Sequence, residues 1–180
     1  NVVRAEGRVQ AWLVGSGWGE RAGDRLDELL VTGLPLVVDA DGLRHLPKRL
    51  DRPGVLLTPH AGELARLLGG LRPDVEADPI GAVRAAVERY GATVLLKGAT
   101  QYVATPGDDR VHLAVPGPAW TAQAGSGDVL AGICVTLLAA GLDPVVAAVC
   151  AASIQAMTAG AHPGPYPPQD LARFLPGTIA

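Results

Sequence analysis

Two glycines, a hydroxyl and a carboxylate stand together in Ala124-Gly125-Ser126-Gly127-Asp128-Val129-Leu130, immediately ahead of a long apolar run. Glycines let the backbone turn its N–H groups toward an anion, and a helix starting here adds the positive end of its dipole. Gly125, Ser126 and Gly127 therefore read as a phosphate-binding loop at a helix N-terminus. Asp128, in the first helical turn, has two readings. It steadies the dipole, or it acts as a general base that takes a proton from a hydroxyl attacking the bound phosphate. A carboxylate is no charge partner for a phosphate, so a cation must come from elsewhere.

Other polar groups follow short apolar runs. His60 and Glu63 form His-x-x-Glu just after Val55-Leu56-Leu57. The HExxH pattern of zinc proteases is absent. A His at a helix start has a structural reading, and Glu63 has one as a capping carboxylate. Lys97, one of only two lysines, follows Thr93-Val94-Leu95-Leu96 and either serves a site or snorkels to the surface. Asp39 and Asp41 also read as turn-formers. In Gly15-Ser16-Gly17-Trp18-Gly19 the third glycine comes one residue too early for GxGxxG, and no Walker A pattern occurs. That segment is a tight strand-to-helix turn or a close backbone approach to a ligand. His45, His112 and His162 have no partners in sequence and read as surface residues, while Cys134 and Met157 read as core.

These groups need elements to hold them. Val9 to Val14, Pro35 to Ala40, Val55 to Leu57 and Thr93 to Leu96 have the near-continuous apolar character of strands covered on both faces. Helices are expected from about Glu20 to Val31, from Leu64 onward, and from Pro79 to Tyr90. The last opens on a capping Asp78 with Pro at its first position and stops at Gly91. Residues 101–104 and 111–115 suggest a hairpin. Two apolar helices follow the 125–128 loop, then a Pro-rich tail and a short helix near Leu171. Alternating strands and helices predict an α/β layered domain with a mainly parallel sheet. In such sheets ligands bind beyond the carboxyl ends of the strands, where residues 15–19, 39–42, 58–63 and 97–101 all fall.

Composition narrows the partners. The 180 residues suit a single domain spanning 1–180, and 48% apolar against 4% aromatic residues demands an aliphatic core. A net charge of −3 without a basic cluster argues against nucleic acid. Cys134 and Cys150 lie in apolar segments, as expected of reduced thiols in a cytosolic protein. The start has no signal-peptide architecture. The apolar stretch 129–161, broken by Gly141-Leu142-Asp143-Pro144, reads as two buried helices too short to span a membrane. A soluble, cytoplasmic enzyme without membrane contact is the expectation.

In order along the chain, Val38-Asp39-Ala40-Asp41-Gly42-Leu43, the segment Leu57-Thr58-Pro59-His60-Ala61-Gly62-Glu63-Leu64, Leu95-Leu96-Lys97-Gly98-Ala99 and Ala124-Gly125-Ser126-Gly127-Asp128-Val129-Leu130-Ala131-Gly132 closely resemble the NAD(P)H-hydrate dehydratases of the ribokinase-like superfamily. The resemblance spans nearly the whole chain and implies a three-layer α/β/α fold. It implies a nucleotide-repair lyase that returns the S form of NADHX or NADPHX to NADH or NADPH. ADP, or ATP in some members, is the co-substrate, and a phosphorylated intermediate forms before phosphate leaves; with ADP the other product is AMP. Carried over by position, Asp128 is the base and touches the substrate hydroxyl. Gly17 and His60 line the substrate. Lys97, Gly98, Ala99, Thr100 and Gln101 form a nucleotide-binding loop, joined by Gly125, Ser126 and Gly127, and Glu63 holds Mg²⁺ through water. The resemblance also implies that the family's N-terminal elements are missing, leaving an open sheet edge and favouring a homo-oligomer. Gln155 stands where the family commonly carries His, and Trp120 either stacks on a base or packs. The alternatives are a small-molecule kinase of the hydroxymethylpyrimidine or hydroxyethylthiazole type, and an inactive nucleotide-binding fragment.

Overall fold

Short runs of Val and Leu with no polar interruption become strands whose two faces both need covering. A computed structural model describes residues 8–19 and 21–179. The strands are β1 (Trp12–Val14), β2 (Leu36–Val38), β3 (Val55–Leu57), β4 (Thr93–Leu96), β5 (Tyr102–Ala104) and β6 (His112–Leu113). They form one sheet in the order β1-β2-β3-β4-β5-β6. Pairings from β1 to β4 are parallel, whereas β4–β5 and β5–β6 are antiparallel. The sheet is thus mainly parallel, and the expected hairpin at its edge extends one strand further inward than the sequence pattern implied.

Helices α1 (Arg21–Leu30), α2 (Ala61–Leu68), α3 (Arg72–Ala77) and α4 (Pro79–Tyr90) precede β4 in the chain; α5 (Ser126–Ala139), α6 (Pro144–Ala161), α7 (Pro168–Leu171) and α8 (Leu175–Ile179) follow the sheet. Side chains alternate across the strands, so each face has its own core. Val14, Val38, Leu57, Val94 and Leu96 pack with Leu26 of α1, Leu64 of α2 and Val83 of α4. Val37, Leu56, Leu95 and Val103 pack instead with Leu130 and Cys134 of α5 and Ala148 and Ala152 of α6. Leu56 and Leu95 are fully buried, and each such side chain contributes roughly 1.5–3 kcal/mol. The result is the three-layer α/β/α arrangement.

Local chemistry sets the helix ends. Asp78 accepts from the Gly81 N–H at 2.9 Å, Pro79 opens α4, and Gly91 closes it at φ 62°. Glu20, where helix α1 is expected to begin, lies outside the described residues, as do the first seven. Helix α3 and 3-10 turns at Ala40–His45 and Ala119–Thr121 are elements that the sequence pattern did not reveal. Helix α6 also differs from expectation. At 18 residues and a mean hydropathy of 1.5 it is long and apolar enough to cross a membrane by length and composition. Its Ala147, Ala148, Ala151 and Ala152 are instead buried in the core beneath the sheet.

Candidate active site

All four polar groups at the strand ends meet, and the contacts between them are specific. Gly15 follows β1 at φ 135°; a Cβ there would lie 1.7 Å from the Asp39 carbonyl oxygen, so only glycine lets the ends of β1 and β2 come this close. The close approach is therefore backbone to backbone. Gly17 has φ 70° and open space where its side chain would be. It leaves room at the surface for a ligand. Gly19 donates its N–H to Asp41 Oδ2 at 2.9 Å. Between the two aspartates, Ala40 sits at φ 45°, a left-handed conformation that costs a non-glycine residue about 1–2 kcal/mol. That turn sends Asp39 and Asp41 to different partners.

Asp39 is 2% exposed, and its Oδ1 accepts from Lys97 Nζ at 2.6 Å. Lys97, only 17% exposed, does not snorkel to the surface; it reaches back across the strand ends. Its backbone bridges to the β3 end, with Lys97 N donating to Pro59 O at 2.8 Å. Its ammonium also lies 3.9 Å from Glu63 Oε2. A Cβ on Gly127 would lie 3.3 Å from Nζ, which puts the lysine against the 125–128 loop. Lys97 thus brings a positive charge to the side of that loop.

His60 and Glu63 form a reciprocal cap on α2. Nδ1 of His60 accepts from the Gly62 and Glu63 N–H groups at 3.0 and 3.2 Å, and Glu63 Oε2 accepts from His60 N at 2.8 Å. With Nδ1 an acceptor, neutral His60 carries its proton on Nε2, 3.5 Å from Glu63 Oε1 and on a half-exposed ring. One nitrogen thus builds the helix, while the other lies beside Glu63 on a ring that is half exposed.

Glycine at position 125 takes φ 90° and starts α5 without a side-chain cap. Asp128, in the first turn, is exposed and has no hydrogen-bond partner among the described residues. The loop is steadied from outside the motif. Gln155 of α6 is 7% exposed, and its Nε2 donates to the Ser126 carbonyl at 2.8 Å. Sequence reasoning marked Gln155 only as a departure from a family pattern; its partner 29 residues away carries no local signal.

Gly98, Ala99 and Thr100 form the exposed tip between β4 and β5. Gln101 is different, because its Oε1 is buried without a partner. Trp120 packs edge-on against Tyr166 at 4.8 Å, and a side chain on Gly164 would collide with its ring, so it serves as packing. His112 and His162 are not free surface residues. His112 Nε2 lies 3.1 Å from Asp108 Oδ2, and His162 stacks on Phe174 at 4.1 Å. Beneath the site, burial pushes the Cys134 thiol up to about 12, with the Asp39 carboxylate adding to the effect.

No group of three or more His, Cys, Asp or Glu side chains among the described residues converges to hold a metal. Four carboxylates, those of Asp39, Asp41, Glu63 and Asp128, share the strand ends with one ammonium. Both Glu63 oxygens already face His60 or Lys97. A cation placed here would draw most of its ligands from water and phosphate, which suits Mg²⁺ and not a protein cage.

A family model described as NAD(P)H-hydrate dehydratase matches residues 1–175. A bifunctional NAD(P)H-hydrate repair enzyme of Mycobacterium leprae is 46% identical over 171 residues, covering 89% of this chain and 35% of that protein. An ADP-dependent (S)-NAD(P)H-hydrate dehydratase of Neisseria meningitidis is 44% identical over 154 residues, 79% of this chain and 51% of that one. The chain therefore spans between a third and about half of the length of these relatives. Among solved structures, an ADP/ATP-dependent NAD(P)H-hydrate dehydratase from Bacillus subtilis, co-crystallised with ATP and Mg²⁺, matches with a TM-score of 0.85 at 25% identity, over 97% of this chain and 65% of that one.

Proposed function

The chain belongs to the NAD(P)H-hydrate dehydratase family, and from that premise we propose that it carries out the ADP-dependent dehydration of (S)-NADHX and (S)-NADPHX in the cytoplasm. The observation that carries the reading is the unpartnered Asp128 carboxylate on the first turn of α5, one residue from a glycine that abuts the Lys97 ammonium. A base and an anion site with its cation are thereby adjacent.

The residues divide the work. The 125–127 backbone and Lys97 hold the terminal phosphoryl group of ADP. His60 Nε2–H and the open surface beside Gly17 receive the hydrated nicotinamide. Asp128 takes the proton of the ring hydroxyl as its oxygen attacks the terminal phosphorus, and AMP departs. The phosphate ester is a far better leaving group than hydroxide; its C–O bond then breaks and a neighbouring ring carbon loses a proton, giving the dihydronicotinamide. Mg²⁺, held by Glu63 through water, would neutralise phosphate charge in this carboxylate-rich site.

Purified protein incubated with the hydrate and ADP should restore absorbance at the dihydronicotinamide band, releasing one phosphate per turnover. Asp128→Asn should lower that rate at least about a hundredfold with its melting temperature unchanged. Accumulation of a stable phosphorylated alcohol would favour the kinase reading. No recovery by the folded protein would refute the dehydratase assignment.

A further inference from the structure

Arginine in this protein is usually paired. Arg25, Arg49, Arg72, Arg110 and Arg173 each hold a carboxylate, and Arg52 and Arg84 donate to backbone carbonyls. Five others, Arg8, Arg21, Arg44, Arg66 and Arg89, have no such partner among the described residues, and three of these, Arg44, Arg66 and Arg89, line one cavity of about 600 Å³. Three different elements supply them: the 3-10 turn Ala40–His45, helix α2 and the end of α4. Arg89 is drawn over the Tyr90 ring, 5.6 Å from its centroid.

The same cavity has an apolar wall of Leu43, Leu46 and Leu67. Its one carboxylate is Glu63, whose oxygens are engaged by His60 and face Lys97. Three arginines against one carboxylate leave this wall with an excess of positive charge, and a concave wall focuses that field on whatever enters. Glu63 lines this cavity and also belongs to the strand-end site, and Ala40 lines it one residue from Asp39. A ligand whose reacting end lies beside His60 can therefore extend along α2 into the arginines.

We propose that this cavity binds a ribose phosphate monoester, the 2′-phosphate that distinguishes NADPHX from NADHX, with the adenosine against Leu43, Leu46 and Leu67. The assignment to that substrate rests on the dehydratase reading above. A phosphate monoester is a dianion with three acceptor oxygens, and the planar fork of arginine matches it in bidentate fashion. None of the three arginines takes part in the phosphoryl-transfer site, so they add selectivity without touching the chemistry.

The test is calorimetric binding of adenosine 2′,5′-bisphosphate and AMP to the purified protein, with inorganic phosphate as competitor. The bisphosphate should bind at least about tenfold more tightly than AMP. Arg44→Gln, Arg66→Gln and Arg89→Gln should each shrink that ratio, and the triple variant should abolish it while AMP affinity and melting temperature stay as they were. Equal binding of the two nucleotides, or a preference that survives in the triple variant, overturns the proposal. So does displacement of the bisphosphate by inorganic phosphate at equal concentration. Because binding needs no turnover, an inactive protein that still prefers the bisphosphate would refute only the dehydratase reading. An active protein without the preference would refute only the arginine site.

Discussion

Without the Lys97 ammonium, the Asp39 carboxyl group would sit at 2% exposure with no counter-charge beside it. Breaking a buried pair from one side costs about 3 kcal/mol or more, whereas neutralising both partners costs much less. Lys97→Met should therefore lower unfolding free energy by about 3 kcal/mol, and adding Asp39→Asn should recover a large part of it. Urea unfolding of the four proteins measures the coupling; purely additive losses would contradict the pair. The two cysteines should separate in the same way. Cys134, whose thiol is pushed up to about 12 by burial, should resist a thiol reagent until the protein unfolds, while half-buried Cys150 reacts in the native state. Hydrogen bonds from the Arg110 side chain and backbone, and from His112, hold Asp108 well below the ordinary carboxylate range. Because its folded value is depressed, its contribution is fully present above its unfolded value near about 4 and is lost as pH falls through the lower folded one. Asp108→Asn should flatten the acid limb of the stability curve below about pH 4, and an unchanged limb would assign acid sensitivity elsewhere.

At the scale of elements, what could be read in the sequence depended on whether the signal was local. Asp78, Pro79 and Gly91 mark both ends of α4 because capping and left-handed closure act within a turn. The strands at 55–57 and 93–96 stand out as buried apolar runs. Helix α3 was hidden by the polar, Pro-containing Arg72-Pro73-Asp74-Val75-Glu76-Ala77, of which Val75 alone is buried. The 3-10 turn after β2 depends on Ala40 at positive φ, which no residue pattern announces. Gly15 and Gly17 look alike in sequence yet should respond differently. Gly15→Ala meets the Asp39 carbonyl and should cost more than roughly 3 kcal/mol, whereas Gly17→Ala meets only open space and pays about 1–2 kcal/mol for its φ. Equal unfolding midpoints for the two variants would show that β1 and β2 are not held as close as described. The bond from Gln155 to Ser126 ties α6 to the loop. Gln155→Leu should raise KM for ADP several-fold and cost about 1 kcal/mol, and Gln155→His, which keeps a donor, should restore binding.

Across the whole molecule, the candidate site draws on both helical layers. His60 and Glu63 come from α2 on one face of the sheet, Asp128 from α5 on the other, and the carboxyl ends of β1 to β4 lie between them. The α/β alternation pointed to the carboxyl ends of the strands, and Asp39, Glu63 and Lys97 do meet there. It could not predict which side chains pair there. Asp39 and Lys97 are 58 residues apart, and the three cavity arginines come from separate elements that only folding brings together. Lys97 is the contact between the layers: it holds Asp39 and Glu63 on one side and rests against Gly127 on the other. A side chain at 127 would shift the ammonium by a few tenths of an ångström, and a shorter residue at 97 would leave a gap beside the loop. The two positions therefore share one small space, and a laboratory selection for active variants should keep lysine at 97 and accept at 127 only glycine or the smallest side chains.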